Sequence, residues 1–169
     1  MKSVVLLRGI NVGGHGKLPM KELCGVLEEL GAVNPQSYIQ SGNVVIDGEI
    51  EAEMVADTIE KAKGFRPRVM VIPSQDFLET VGQNPFAEPE GKLLHIWFAD
   101  APFTFSQAKA DSLRAESEAL HIGARAIYLH APGGIGRSKL AAKIEFLAGV
   151  PCTARNMNTV RKLLEMLDA

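Results

Sequence analysis

Apolar residues in the first 73 positions follow two alternating patterns, that of strands and that of helices. The run Ser3–Leu7 is rich in branched apolar residues and predicts a strand buried on both faces. Apolar positions three and four apart predict a helix from near Pro19 to Gly31, with the stripe Met20, Leu23, Cys24, Leu27 and Leu30. A second helix is predicted to end at Gly64, with the stripe Ile50, Met54, Thr58 and Ala62.

Shorter apolar runs predict three further strands in this half, at residues 37–40, 44–46 and 68–72. The first two runs are joined by Ser41-Gly42-Asn43, and both Gly and Asn tolerate the positive φ of a tight turn. The resulting order, β-α-β-β-α-β, is that of a ferredoxin-like α+β unit with a mainly antiparallel sheet.

The second half repeats this order. Strands are predicted at 93–98, 119–122, 126–130 and 152–154, with helices from Ser106 to Leu113, along Leu140, Ile144 and Leu147, and after the N-cap Asn156. We therefore expect two fused ferredoxin-like units plus a C-terminal helix. The first unit would span residues 1–73, a connecting helix and a Pro/Gly-rich linker 74–92, and the second unit 93–169.

Composition and charge narrow the class of protein. The chain has 169 residues, 46% of them hydrophobic, and its net charge of −2 argues against a protein that coats nucleic acid or an anionic membrane. The apolar run that ends at Arg8 is far too short for a signal peptide or a membrane span. Cys24 and Cys152 form neither a disulfide framework nor a metal-ligand spacing. We expect a reduced, cytoplasmic protein without a metal site, and Cys24 buried on its helix.

The glycine-rich segment 8–17 is the first candidate site, because it lies between a predicted strand and a predicted helix, where backbone amides can bind an anion. Its candidate ligand contacts are Arg8, Asn11, Gly13, Gly14 and Lys17. A P-loop would require glycine in place of Asn11, and a Rossmann motif would require glycine in place of Pro19, so neither motif is present. The alternative is that these glycines only relieve steric conflict.

Two segments of the second half are further candidates. The loop 132–139 carries Arg137 beside three glycines, and the segment 153–159 carries Arg155, Asn156 and Asn158. Asn156 has an alternative explanation as a plain helix N-cap. Loop 132–139 has the alternative of being an ordinary solvated loop.

The turn Ser41-Gly42-Asn43 completes the candidate set. In a β-α-β-β-α-β unit the first and third strands are antiparallel neighbours, so the loop after the first strand lies where the third strand begins. We therefore predict that Arg8 and the amides near Gly13 and Gly14 face the same cavity as Ser41, Gly42 and Asn43. The alternative is that Arg8 and Asn43 merely brace the loop.

Five motifs along the chain resemble an uncharacterised bacterial family, domain of unknown function number 1697. They are Leu6-Leu-Arg-Gly-Ile-Asn-Val-Gly-Gly14, Pro19-Met20, Tyr38-Ile-Gln-Ser-Gly-Asn-Val-Val45, Asn84-Pro-Phe86 and Thr153-Ala-Arg-Asn-Met-Asn-Thr-Val160. The resemblance implies two fused ferredoxin-like units and no known activity or catalytic residue. Met157 stands where the family usually has Trp, which either stacks on a ligand or only packs.

These observations lead to one functional hypothesis and two alternatives. The hypothesis is a small anionic ligand, a nucleotide or phosphorylated metabolite, bound at the glycine-rich loops. The alternatives are a nucleic-acid-binding or protein-interaction module, nucleic acid being the less favoured partner, and an enzyme without a recognisable catalytic motif. We expect no membrane partner. The sequence does not identify a cofactor or an oligomeric state.

Overall fold

The elements of the first half form in the predicted order. The computed structural model describes all 169 residues. The elements are β1 (Lys2–Arg8), α1 (Met20–Glu29), β2 (Val33–Tyr38), β3 (Asn43–Asp47), α2 (Ala52–Lys63), β4 (Arg68–Pro73) and α3 (Ser74–Gly82). The four strands form an antiparallel sheet in the order β2-β3-β1-β4, which is the ferredoxin-like order.

Strand β1 is buried on both faces, as its uninterrupted apolar run predicts. Val5 and Leu7 pack into a core with α1 and α2. Val4 and Leu6 point to the opposite face, because successive side chains of a strand alternate, and they are fully buried too. This alternation places Arg8 on the face of Val4 and Leu6.

The predicted buried stripe of α2 is wrong, although the helix exists. Its buried residues are Val55, Ala56 and Ile59, whereas Met54 is 49% exposed. The predicted stripe used a strict spacing of four residues. On a helix with 3.6 residues per turn each such step rotates the side chain by about 40°, so the stripe drifts off one face.

The second half forms another four-stranded antiparallel sheet. Its elements are β5 (Leu94–Ala99), α4 (Gln107–Leu113), β6 (Ala119–Ile122), β7 (Ala126–His130), α5 (Ile144–Ala148), β8 (Cys152–Asn156) and α6 (Met157–Asp168). The strand order is β6-β7-β5-β8, which repeats the order of the first sheet. The fold class is therefore confirmed: mixed helix and strand, two four-stranded antiparallel sheets and a C-terminal helix.

The predicted helix along Leu140, Ile144 and Leu147 is shorter than expected. A 3-10 turn at Ala141–Lys143 precedes the five-residue α5, which ends at Gly149 in a left-handed conformation. The Ser138 hydroxyl accepts a hydrogen bond at 3.0 Å from the amide of Ala141, the first residue of this 3-10 turn. Leu140 and Ile144 are nevertheless fully buried, as the pattern predicts.

The chain forms two compact units. One comprises residues 1–78 together with 162–169, and the other comprises residues 79–161. The boundaries 1–73, 74–92 and 93–169 of the predicted units and linker remain a prediction. None of the helices combines the length and the apolar character that crossing a membrane requires.

The cysteines correct one expectation. Both are free thiols, but Cys24 is only half-buried, whereas Cys152 is buried. Burial raises the pKa of the Cys24 thiol, and a hydrogen bond with Ser37 partly opposes that shift. The apolar stripe of α1 is therefore narrower than predicted, and Cys24 lies at its edge.

Candidate functional site

The loop after β1 folds back on itself as a small hairpin. Val12 and His15 exchange backbone hydrogen bonds at 3.1 and 2.8 Å. Gly13 and Gly14 between them have φ values of 56° and 79°. A two-residue hairpin turn of type I′ requires positive φ at both central positions, so these two glycines have a conformational reason for being there.

Asn11 holds this hairpin to the rest of the first unit. Its side-chain amide donates to the carbonyls of Leu18 and Gln40, both at 2.8 Å, and its Oδ1 accepts from the Leu18 amide at 2.8 Å. Its φ of 53° is in the left-handed region, which Asn tolerates better than most residues. The side chain of Asn11 is thus a brace between two segments of the protein.

The turn of residues 41–43 lies directly against the end of β1, as predicted. The Leu7 amide donates to the Gly42 carbonyl at 2.9 Å. A side chain at Gly42 would place its Cβ 2.7 Å from the Cβ of Leu7. Asn43 is fully buried and donates to the Tyr38 carbonyl at 3.1 Å and to the Ser41 hydroxyl at 2.9 Å. The bracing alternative therefore describes Asn43, and Asn11, which that alternative did not include, has the same role. Ser41 and Lys17 are exposed.

Arg8 has a neighbour that the sequence reasoning missed. Arg8 and Arg68 are register partners across β1 and β4, and both are exposed. Directly opposed residues of an antiparallel pair point to the same face, so two guanidinium groups share one end of this sheet face. The pairing could have been predicted from the sequence, because the first and fourth strands are neighbours in this topology and Arg68 begins the predicted fourth strand. We call Arg8 and Arg68 the arginine pair.

The second unit has its candidate residues on β8 and the start of α6. Burial lowers the pKa of the Arg155 guanidinium to about 10, and one of its nitrogens donates to the Ala154 carbonyl at 2.9 Å. Thr153 points to the same sheet face as Arg155, because they are two residues apart on one strand. The Thr153 hydroxyl is buried and has no hydrogen-bond partner.

The other candidates of this unit have different surroundings. Asn156 Oδ1 accepts from the Thr159 amide at 3.0 Å, which confirms the N-cap alternative. Asn158 packs against Gly91, where a Cβ would lie 2.5 Å from the Asn158 backbone nitrogen. Met157 is 5% exposed, so the residue at the family's Trp position packs in the interior. Arg137 lies in an exposed 3-10 turn of another loop.

A loop that sequence analysis treated as a linker is held in place by several contacts. Glu88 Oε2 lies 2.6 Å from His130 Nε2, and Arg161 donates to the carbonyls of Glu88 and Pro89. A hydrogen bond from the Glu90 amide, and the contact with His130, lower the pKa of Glu88. No group of three or more His, Cys, Asp or Glu side chains is arranged to hold a metal ion.

Two four-stranded antiparallel sheets of the same strand order, together with the helices between their strands, place the protein in the α+β class. The chain belongs to the family described as Protein of unknown function (DUF1697), whose profile matches residues 1–128. It is similar to the solved structure of the conserved bacterial protein SP0830 from Streptococcus pneumoniae, with 24% identity and a TM-score of 0.68 over 98% of each chain. That likeness concerns the fold. No curated protein is significantly similar, and neither description indicates a specific function.

Proposed function

We propose that the protein binds a small anionic ligand, a nucleotide or phosphorylated metabolite, at the end of the first sheet where the arginine pair lies. The observation that supports the proposal most directly is the register pairing of Arg8 with Arg68 on one sheet face. Like charges placed directly opposite each other across two strands are unfavourable for the sheet itself. Such a local cost is typical of positions retained for function.

The chemistry of the arginine pair suits an oxyanion. A guanidinium group has five N–H donors in a planar fork, which matches the oxygens of phosphate or carboxylate in a bidentate manner. Lys17 and Ser41, both exposed on the adjoining loop and turn, are the further proposed contacts in this unit.

For the second unit we propose Arg155, with the neighbouring Thr153 hydroxyl, as the anion contact. The buried hydroxyl lacks a partner, and an oxyanion could accept from it and from the guanidinium. Arg137, Asn156 and Asn158 remain weaker proposals, since Asn156 already serves as an N-cap. We also propose that the protein acts in the reducing cytoplasm, in keeping with its two free thiols.

Titration calorimetry with inorganic phosphate, pyrophosphate and a set of nucleotides and sugar phosphates tests the proposal. Arg8→Ala and Arg68→Ala should each weaken binding about 10- to 150-fold, the value of a hydrogen bond to a charged group. Lys61→Ala is the matched control, because it removes one exposed positive charge from α2 and should leave the affinity unchanged.

The lysine variants separate geometry from charge. Arg8→Lys and Arg68→Lys keep the positive charge but lose the planar fork, so we expect intermediate affinities. A lower melting temperature of Arg8→Ala with unchanged affinity would show that Arg8 is structural. If none of the phosphate compounds binds, the proposal is wrong.

A further inference from the structure

Two exposed branched apolar side chains lie beside the loop that follows the arginine pair. Val12 is 64% exposed and Ile39 is 50% exposed. Val12 directly follows Asn11, and Ile39 directly precedes Gln40, whose carbonyl accepts the 2.8 Å hydrogen bond from the Asn11 amide. Val12 and Ile39 are therefore the chain neighbours of the donor and the acceptor of one hydrogen bond.

The backbone at Ile39 is held in a costly conformation. Ile39 has a φ of 49°, and a β-branched residue in the left-handed region is a genuine outlier. Glycine would be the ordinary residue for such a position if only the turn mattered. Instead the chain presents an isoleucine to solvent there, and the Val12–His15 hairpin presents a valine. Neither exposed side chain contributes to the core of the first unit.

The charges near Val12 and Ile39, the apolar pair, limit which ligands can bind against these two side chains. Arg8 leads directly into the hairpin loop, and Lys17 is exposed on that loop, so the segment that carries Val12 also carries two positive charges. A ligand that satisfies both features has an anionic end and a flat apolar end. A phosphorylated sugar has only the first of these, whereas a nucleotide has both.

We propose that the ligand is a nucleotide, with its phosphate at the arginine pair and its base against Val12 and Ile39. This inference rests on the proposed anion binding and selects one ligand class from it. Bases are commonly held between apolar side chains, since burial of their faces removes apolar surface from water. The Asn11 brace and the Gly13-Gly14 turn would position the apolar side chains relative to the phosphate.

The test compares nucleoside monophosphates with ribose 5-phosphate, which has the same sugar and phosphate but no base. By titration calorimetry we expect at least one nucleoside monophosphate to bind about tenfold more tightly than ribose 5-phosphate, the smallest selectivity expected from a modest apolar contact. Val12→Ala and Ile39→Gly should reduce that ratio and leave the affinity for ribose 5-phosphate unchanged. Ile39→Gly is an informative variant, because glycine suits the positive φ and the protein should unfold no earlier than wild type.

The outcomes separate the two proposals. If nucleotides and ribose 5-phosphate bind equally tightly, the nucleotide inference is wrong and anion binding is still supported. The same holds if the ratio of the two affinities is unchanged in Val12→Ala and Ile39→Gly. Absence of binding by every phosphate compound refutes the proposed function itself. Both proposals are supported if Val12→Ala and Ile39→Gly lose the preference for the nucleotide over ribose 5-phosphate. Arg8→Ala should then weaken the binding of both compounds.

Discussion

Replacing Asn11 tests whether this side chain supports the loop after β1. Alanine removes three hydrogen bonds of 2.8 Å, two with Leu18 and one with Gln40. Each is worth about 0.5–1.5 kcal/mol, and water can replace the exposed one to Gln40, so the loss of the other two should cost about 1–3 kcal/mol. Alanine also tolerates the φ of 53° less well than asparagine, which adds about 1 kcal/mol.

Asn11→Gly is the matched variant, because it loses the same hydrogen bonds but accepts the positive φ. We expect it to be about 1 kcal/mol less destabilised than Asn11→Ala. Urea unfolding followed by circular dichroism measures the free energies. Hydrogen exchange of the Leu18 amide, which donates to Asn11 Oδ1, should accelerate about 5- to 150-fold in Asn11→Gly if this loop opens locally, and about fivefold more in Asn11→Ala.

A specific result would refute this reasoning. If both variants unfold within about 0.5 kcal/mol of wild type, the typical effect of an unimportant surface substitution, Asn11 is not the brace of the loop. Unchanged exchange at Leu18 would lead to the same conclusion. Asn11 would then again be a candidate ligand contact rather than a structural residue.

Three further predictions concern the second unit. Gly91→Ala should destabilise by about 1–3 kcal/mol in urea unfolding, because the new Cβ would lie 2.5 Å from the Asn158 backbone nitrogen, and Asn158→Ala should not rescue it. The pKa of Glu88 is lowered from its ordinary value of 4.5, so the charged carboxylate stabilises the folded protein above that pH. This stabilisation is lost as the carboxylate is protonated at lower pH. Glu88→Gln should therefore lower the melting temperature at neutral pH and have progressively less effect below pH 4.5. The Tyr128 hydroxyl donates to the Thr80 carbonyl at 2.6 Å, and burial raises its pKa from 10 to about 12. The stabilisation that follows from this shift is complete below pH 10 and is lost as the pH rises toward 12. We expect the urea concentration at the unfolding midpoint to fall as the pH rises above 10 in the wild-type protein. The fall should be smaller in Tyr128→Phe.

Elements whose signals are local could be predicted from the sequence. The strands β6 and β7 occupy the predicted residues, and Ser106 caps α4 by accepting from the Lys109 amide at 3.2 Å. Asn156 caps α6 in the same way. Side-chain periodicity and capping depend on residues within about four positions of one another, so the chain carries this information in consecutive letters. The strict four-residue stripe of α2 failed because the true helical period is 3.6.

The partners of the candidate site residues were decided by tertiary structure. Arg8 and Arg68 lie far apart in the chain and come together only because β1 and β4 are neighbours in the sheet. Asn11 was a candidate ligand contact by residue type, but its position opposite Gln40 converts its amide into a brace. The residue type determines which hydrogen bonds a side chain can donate or accept. The order of the strands and the packing of the loops determine which partner lies within hydrogen-bonding distance.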